Sequence, residues 1–127
     1  MSFSDGKENV TYKKSYAFAI KVVEVYKTIH AKNEFVLSRQ LLKSGTSIGA
    51  NIAEANGAIT TADFSAKISI AYKESLETKY WLSLLKDTNY ISLDTFAALH
   101  NDCDEISKIL FSILKTTRIK PNSEKSQ

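Results

Sequence analysis

The chain has 127 residues, 43% of them hydrophobic and 24% charged, with a net charge of +3. That length fits one domain able to hide about two-thirds of its unfolded surface, and one proline with four glycines points to an all-α rather than a turn-rich β fold. The single Cys103 excludes an internal disulfide. No run approaches the roughly 18 apolar residues of a membrane span or the layout of a signal peptide, so a cytoplasmic chain with no membrane partner is expected.

Residues 1–11 are polar and aperiodic and read as a flexible terminus. From Tyr12 to about Ala31 two apolar stripes run side by side, Phe18, Val22, Val25, Ile29 and Ala19, Val23, Tyr26, both on a 3.6-residue period. Together they are wider than an edge helix must bury, leaving Lys14, Lys21, Glu24 and Thr28 on a narrow wet side. Surplus apolar surface of this kind points to a partner subunit.

A second helix is predicted over Val36 to Ala55, closed at Gly57 by a left-handed residue. Gly45, Gly49 and Ala53 recur every fourth residue within it, so one ridge carries almost no side chain and is suited to close helix packing. Glycine in a helix costs about 1 kcal/mol relative to alanine, so close approach must return at least that. A phosphate cradle fails on spacing, because three residues separate the glycines and no Gly-Lys-Ser/Thr follows. Asn51 and Glu54, beside the ridge, either bond to neighbouring helices or face water.

Thr60 or Thr61 caps a third helix running to about Asp87, with Asp63 in its first turn. Phe64, Ile68, Ala71, Ser75, Leu82 and Leu85 mark its buried face, flanked by Tyr72, Tyr80 and Trp81. Glu74 and Glu77 lie beside this face, with no His or Lys clearly converging on them to make an acid-base pair. Ser92 caps the fourth helix, where Phe96, Leu99, Cys103, Ile106, Leu110, Ile113 and Thr117 alternate three and four apart, the repeat of a left-handed bundle. The bundle is expected over 12–118, with 119–127 polar and flexible.

No constellation reaches a reaction, so neither catalytic residues nor a cofactor are assigned. Cys103 occupies a core position and reads as a small apolar plug. His30, His100 and Cys103 lack a fourth metal ligand at a fitting spacing, and neither histidine follows a glutamate three residues earlier as di-iron bundles require. Charge divides along the chain: residues 1–62 carry a net +3, residues 63–114 a net −3 and residues 115–127 a net +3. Lys14 with Lys21, seven apart, and Arg39 with Lys43, four apart, form two short positive stripes, the candidates for weak phosphate contacts.

The run QLLKSGTSIGANIAEANGA at 40–58, followed by ADFSAKISIAYKESLETKYWLSLL at 62–85, closely resembles the small bacterial four-helix-bundle proteins first named as intervening-sequence proteins of 23S ribosomal RNA genes. The resemblance runs from Tyr12 to about Lys115, with a core motif at Ser47, Ile48, Asn51, Ile52, Ala53 and Glu54. It implies an antiparallel up-and-down four-helix bundle assembled into a ring-like homopentamer, with no enzymatic activity. A related branch is the accessory variability protein of diversity-generating retroelements, a basic pentamer that associates with a reverse transcriptase and nucleic acid. This chain departs from that branch in being weakly basic and poor in arginine. The function expected is a non-catalytic homo-oligomeric adaptor for RNA or a ribonucleoprotein; its rival is a protein-protein scaffold with no affinity for nucleic acid.

Overall fold

The computed structural model describes residues 7–119, which form four α-helices: α1 (Lys7–His30), α2 (Val36–Asn56), α3 (Thr61–Asp87) and α4 (Leu93–Leu114), the last continued by a π-helical turn over Lys115–Ile119. Sequential helices pack side by side and α4 closes the circle against α1. All four contacts are antiparallel. Lys14 and Lys21 of α1 meet Glu105 and Asp102 of α4 in reverse order, Ser44 and Glu54 of α2 meet Thr78 and Lys67 of α3, and Ser75 and Lys79 of α3 meet Ser107 and Asp104 of α4. The expected up-and-down bundle is the fold observed.

Helix α1 begins earlier than its apolar pattern indicates. Thr11 and Ser15 are both fully buried and extend the inward row of Phe18, Val22 and Ile29 back by two turns, so residues 7–11, expected in the flexible terminus, are helical. Their small hydroxyls carry no hydrophobic signal, yet they fit the seam; Ser15 returns its hydrogen to the Tyr12 carbonyl at 2.8 Å. The remaining expectations for 1–6 and 120–127 fall outside the described residues.

The structure decides between the two candidates for the α3 cap and keeps the one read for α4: the Thr60 hydroxyl, not that of Thr61, accepts from the Asp63 amide at 3.0 Å, and the Ser92 hydroxyl from the Thr95 amide at 3.1 Å. Helix α2 is capped differently. Phe35 offers no side-chain bond, and the carboxylate of Glu34 instead accepts from the amides of Val36, Leu37 and Ser38 at 3.1, 3.0 and 2.7 Å. Partial burial pushes this carboxyl up, but the three amides outweigh it and hold it below its ordinary value.

Gly57 does not close α2 in the left-handed region. Its φ is −98°, and its amide and that of Ala58 make tight bonds three residues back to Glu54 and Ala55. The left-handed positions belong to Asn33 (φ 65°) and Asn89 (φ 69°), after α1 and α3. In each turn the following amide reaches five residues back, Glu34 to Ile29 and Tyr90 to Leu85, and asparagine tolerates the positive φ that this closure needs. Both turns lie at one end of the bundle, where the Lys32 ammonium donates to the Tyr90 carbonyl at 2.9 Å.

The core is built from Phe18, Val22, Ile29, Leu41, Ile48, Ile52, Phe64, Ile68, Leu82, Leu85, Ile106 and Leu110. Gly45 and Gly49 are buried against α1: a Cβ on Gly45 would lie 2.8 and 2.9 Å from the two γ-carbons of Val22, and one on Gly49 would lie 3.1 Å from the Ser15 hydroxyl. Ala53 is exposed and leaves the seam. Steps of four residues overshoot each helical turn by about 40°, so two steps from Gly45 rotate the row about 80° out of contact. The seam continues through Ile52 instead.

Two outcomes follow for stability. Val22 is β-branched and stiff at χ1, so Gly45→Ala forces it to move and lowers stability by about 1 kcal/mol, overpacking outweighing the gain in helix propensity. Chemical denaturation of Gly45→Ala, Val22→Ala and the double variant checks this: a coupling of about 1 kcal/mol is expected, and none means that these groups do not touch. Glu34→Gln removes the charged cap of α2 and costs about 1 kcal/mol at neutral pH. Because the folded carboxyl is held low, its contribution is complete above the ordinary carboxylate range and fades as pH falls through it, so parent and variant melting temperatures should converge on acidification.

Candidate functional site

The two basic stripes expected from the sequence are not brought together. Lys14 is bound to Glu105 at 3.2 Å and Lys21 to Asp102 at 2.7 Å, so both face the α1–α4 groove with their charge matched. Arg39 and Lys43 stand exposed on α2, and among the described residues neither forms an ion pair, although Lys43 lies near enough to Glu74 to draw its proton affinity down. Net, the Glu74 carboxyl is raised, chiefly by burial and then by the charge of Glu77. Glu77 in turn accepts from the Trp81 indole at 3.0 Å. Asn51 donates to the Ser47 carbonyl within α2, while Glu54 pairs with Lys67 of α3 at 2.9 Å, which raises the lysine through that hydrogen bond and its charge.

The polar interior is a ladder of small hydroxyls. The Thr78 and Ser44 hydroxyls share a hydrogen bond of 2.9 Å across α3 and α2, and Ser75 and Ser107 share one of 2.6 Å across α3 and α4. The Cys103 thiol donates to the Ser75 carbonyl at 3.3 Å, and burial pushes it up to about 12. A thiolate is therefore inaccessible near neutral pH, in keeping with a core plug rather than a nucleophile. The His30 ring packs edge-on to Phe35 at 4.8 Å and His100 lies 5.0 Å from Phe96. Among the described residues no three of His, Cys, Asp and Glu converge as metal ligands.

The surplus apolar surface expected on α1 is present but centres on residues outside the two stripes, and a second apolar surface, between α3 and α4, is unexpected. On α1, Tyr16 (58% exposed) and Ile20 (51%) join Ala19, Val23 and the exposed Glu24 around a shallow depression of about 250 Å³. The expected second stripe, Ala19, Val23 and Tyr26, is half-buried, and only Ala19 and Val23 reach this patch, at its margin. The Tyr16 to Ile20 spacing of four, followed by Val23, carried the signal for the rest. Between α3 and α4 runs a groove of about 260 Å³, lined by the apolar Tyr72, Leu76 and Phe111 and by the polar Lys79, Asp104, Ser107 and Lys108. Leu76 (43%) and Phe111 (50%) are both exposed, and their helix positions put them outside the core rows of α3 and α4.

The same helices are found in known proteins. The family model for the 23S rRNA-intervening sequence protein matches residues 7–112, from the first turn of α1 to the end of α4. The chain belongs to that family. It is also similar to the crystal structure of a protein of unknown function from the S23 ribosomal protein family of Bacteroides thetaiotaomicron VPI-5482, at 50% sequence identity. That match covers 87% of this chain and 99% of the other, with a TM-score of 0.83. No curated protein matches the chain. Family membership thus accounts for the bundle and assigns no activity. Among the described residues no helix is long and apolar enough to cross a membrane.

One reactivity test belongs to this interior. At about pH 8 the folded chain should resist thiol-specific reagents and label only as it unfolds, the rate rising with denaturant. Rapid labelling of the native protein would place Cys103 outside the core.

Proposed function

We propose that this member of the 23S rRNA-intervening sequence family is a non-catalytic, homo-oligomeric adaptor of the cytoplasm that holds copies of itself and a protein partner together. The observation that carries the reading is the outward face of α1. Its opposite face already supplies Phe18, Val22 and Ile29 to the core, yet Tyr16, Ile20 and Val23 present further apolar surface. A helix that needs only one buried face has here been given part of a second, which association would cover. The ring of five implied by the family resemblance would use such a face repeatedly.

The absence of chemistry in this reading rests on what the reactive groups are already doing. The thiol is sealed in the core, the interior hydroxyls bond one another, and both histidine rings are packed on aromatic side chains. A second reading, an adaptor for RNA or for a nucleic-acid-processing protein, draws on Arg39 and Lys43, which are exposed on α2. It is weakened at Lys14 and Lys21, whose charges are matched by α4.

Sedimentation velocity and RNA titration separate these readings. The parent should sediment as a multiple of the monomer and Ile20→Glu as a monomer with unchanged helicity; a monomeric parent would end the self-association claim. Labelled RNA at about 50 and about 200 mM salt should show no binding on the scaffold reading. Binding that weakens steeply with salt and is lost in Arg39→Glu/Lys43→Glu would establish the RNA reading instead.

A further inference from the structure

We propose that the α3–α4 groove docks an amphipathic helix of a partner protein whose apolar row is bordered by carboxylates, an inference that deepens the adaptor reading and rests on it. The apolar part of the lining is contiguous: the Tyr72 and Phe111 rings lie 5.8 Å apart at 39°, and Leu76 extends the surface one turn along α3. Ser107, the buried polar residue of the lining, shares its hydrogen bond with Ser75, so its hydroxyl is already met. From Tyr72 to Lys79 the groove follows α3 for about 10 Å, the distance spanned by positions i, i+4 and i+7 of an incoming helix.

Charge at the rim selects the partner. Lys79 and Lys108 both grip the single carboxylate of Asp104, at 3.0 and 3.1 Å, and the Lys115 ammonium sits 6.0 Å from the Phe111 ring centre. Two ammonium groups therefore share one carboxylate, with a third at the Phe111 end of the groove, and an acidic border on the visitor completes the balance. A second copy presenting its α1 patch fits poorly, because Lys13 and Lys27, seven residues either side of Ile20, are exposed there against Glu24 alone. Single-stranded RNA fits poorly too. The two rings tilt against each other instead of offering open faces for base stacking.

The test is selection of a displayed library of helical peptides on the intact chain, followed by titration of the selected peptides. Selected sequences should carry apolar residues at i, i+3 or i+4, and i+7 with Asp or Glu alongside. Their affinity should fall about tenfold in Leu76→Glu and in Phe111→Glu, as for loss of an interface anchor, and severalfold in Lys108→Glu, which alters only the rim. Because all three side chains are exposed, circular dichroism and melting should match the parent. Basic or neutral winners, binding indifferent to these variants, or no selected peptide would each overturn the proposal. So would a fall in oligomeric mass on Leu76→Glu, which assigns the groove to a second copy, or oligouridylate binding that disappears in Phe111→Glu. Loss of assembly in Ile20→Glu without any groove-dependent peptide refutes the groove alone; a monomeric parent refutes the self-association part of the adaptor reading whatever the peptides do.

Discussion

The separation of α1 from α2 is set by what α2 lacks at Gly45 and Gly49. Val22 places both γ-carbons in the space a Gly45 Cβ would take, and Ser15 occupies the space beside Gly49. This contact fixes the rotation of α1 as well as its distance. With Val22, Phe18 and Ile29 turned inward, Ile20 lies two residues and about 200° from Val22 and must point away from the core. The exposed apolar patch is thus a consequence of the glycine seam: the packing that buries one row of α1 presents the other.

A second constraint is the ladder of small hydroxyls that crosses the interior on α3. Thr78 reaches Ser44 of α2, Ser75 reaches Ser107 of α4, and each also bonds a carbonyl of its own helix, at Glu74 and Tyr72. An unsatisfied buried hydroxyl costs about 1–3 kcal/mol, so sliding either neighbour by one turn is penalised beyond the loss of apolar contact. Leucine pairs tolerate such slips better, because their attraction has little direction. Register fixed in this way determines which side chains meet outside the core, and it sets Tyr72 beside Phe111 on the outer edge of the α3–α4 contact.

How much of this is legible in the sequence depends on whether the deciding signal is local. The cap at Ser92 is read directly and that of α3 to within Thr60 or Thr61, since a hydroxyl stands one residue before each helix and bonds an amide three residues on. The start of α2 at Val36 is read correctly but its cap is not, because the capping group is a glutamate one residue further back, bonding three amides past an uncapping Phe35. Gly57 draws the eye as a left-handed closure, yet Asn33 and Asn89 take that conformation at the other end. Gly45 and Gly49 are visible as a ridge, and Ala53 joins it only if helical drift is ignored. Least legible are the lysines: Lys21 and its acceptor Asp102 are separated by 81 positions, and nothing near Lys21 reveals that its charge is spoken for.

That pairing shapes the outside of the bundle. Asp102, Asp104 and Glu105 occupy adjacent positions on α4, and rotation of about 100° per residue sends Asp102 and Glu105 toward α1 while Asp104 turns toward α3. One acidic run therefore engages lysines on both flanks. Half-exposed pairs of this kind contribute about 0–1 kcal/mol each, so the apolar contact of residues such as Phe18 and Ile106 holds the closure and the charges mainly orient it. The two flanks end differently, however. Toward α1 two lysines meet two carboxylates, whereas toward α3 Lys79 and Lys108 share one, leaving an excess of positive charge beside exposed Leu76 and Phe111. Selective recognition needs apolar surface and uncompensated charge in the same place, and the asymmetry of α4 brings them together on the side facing α3.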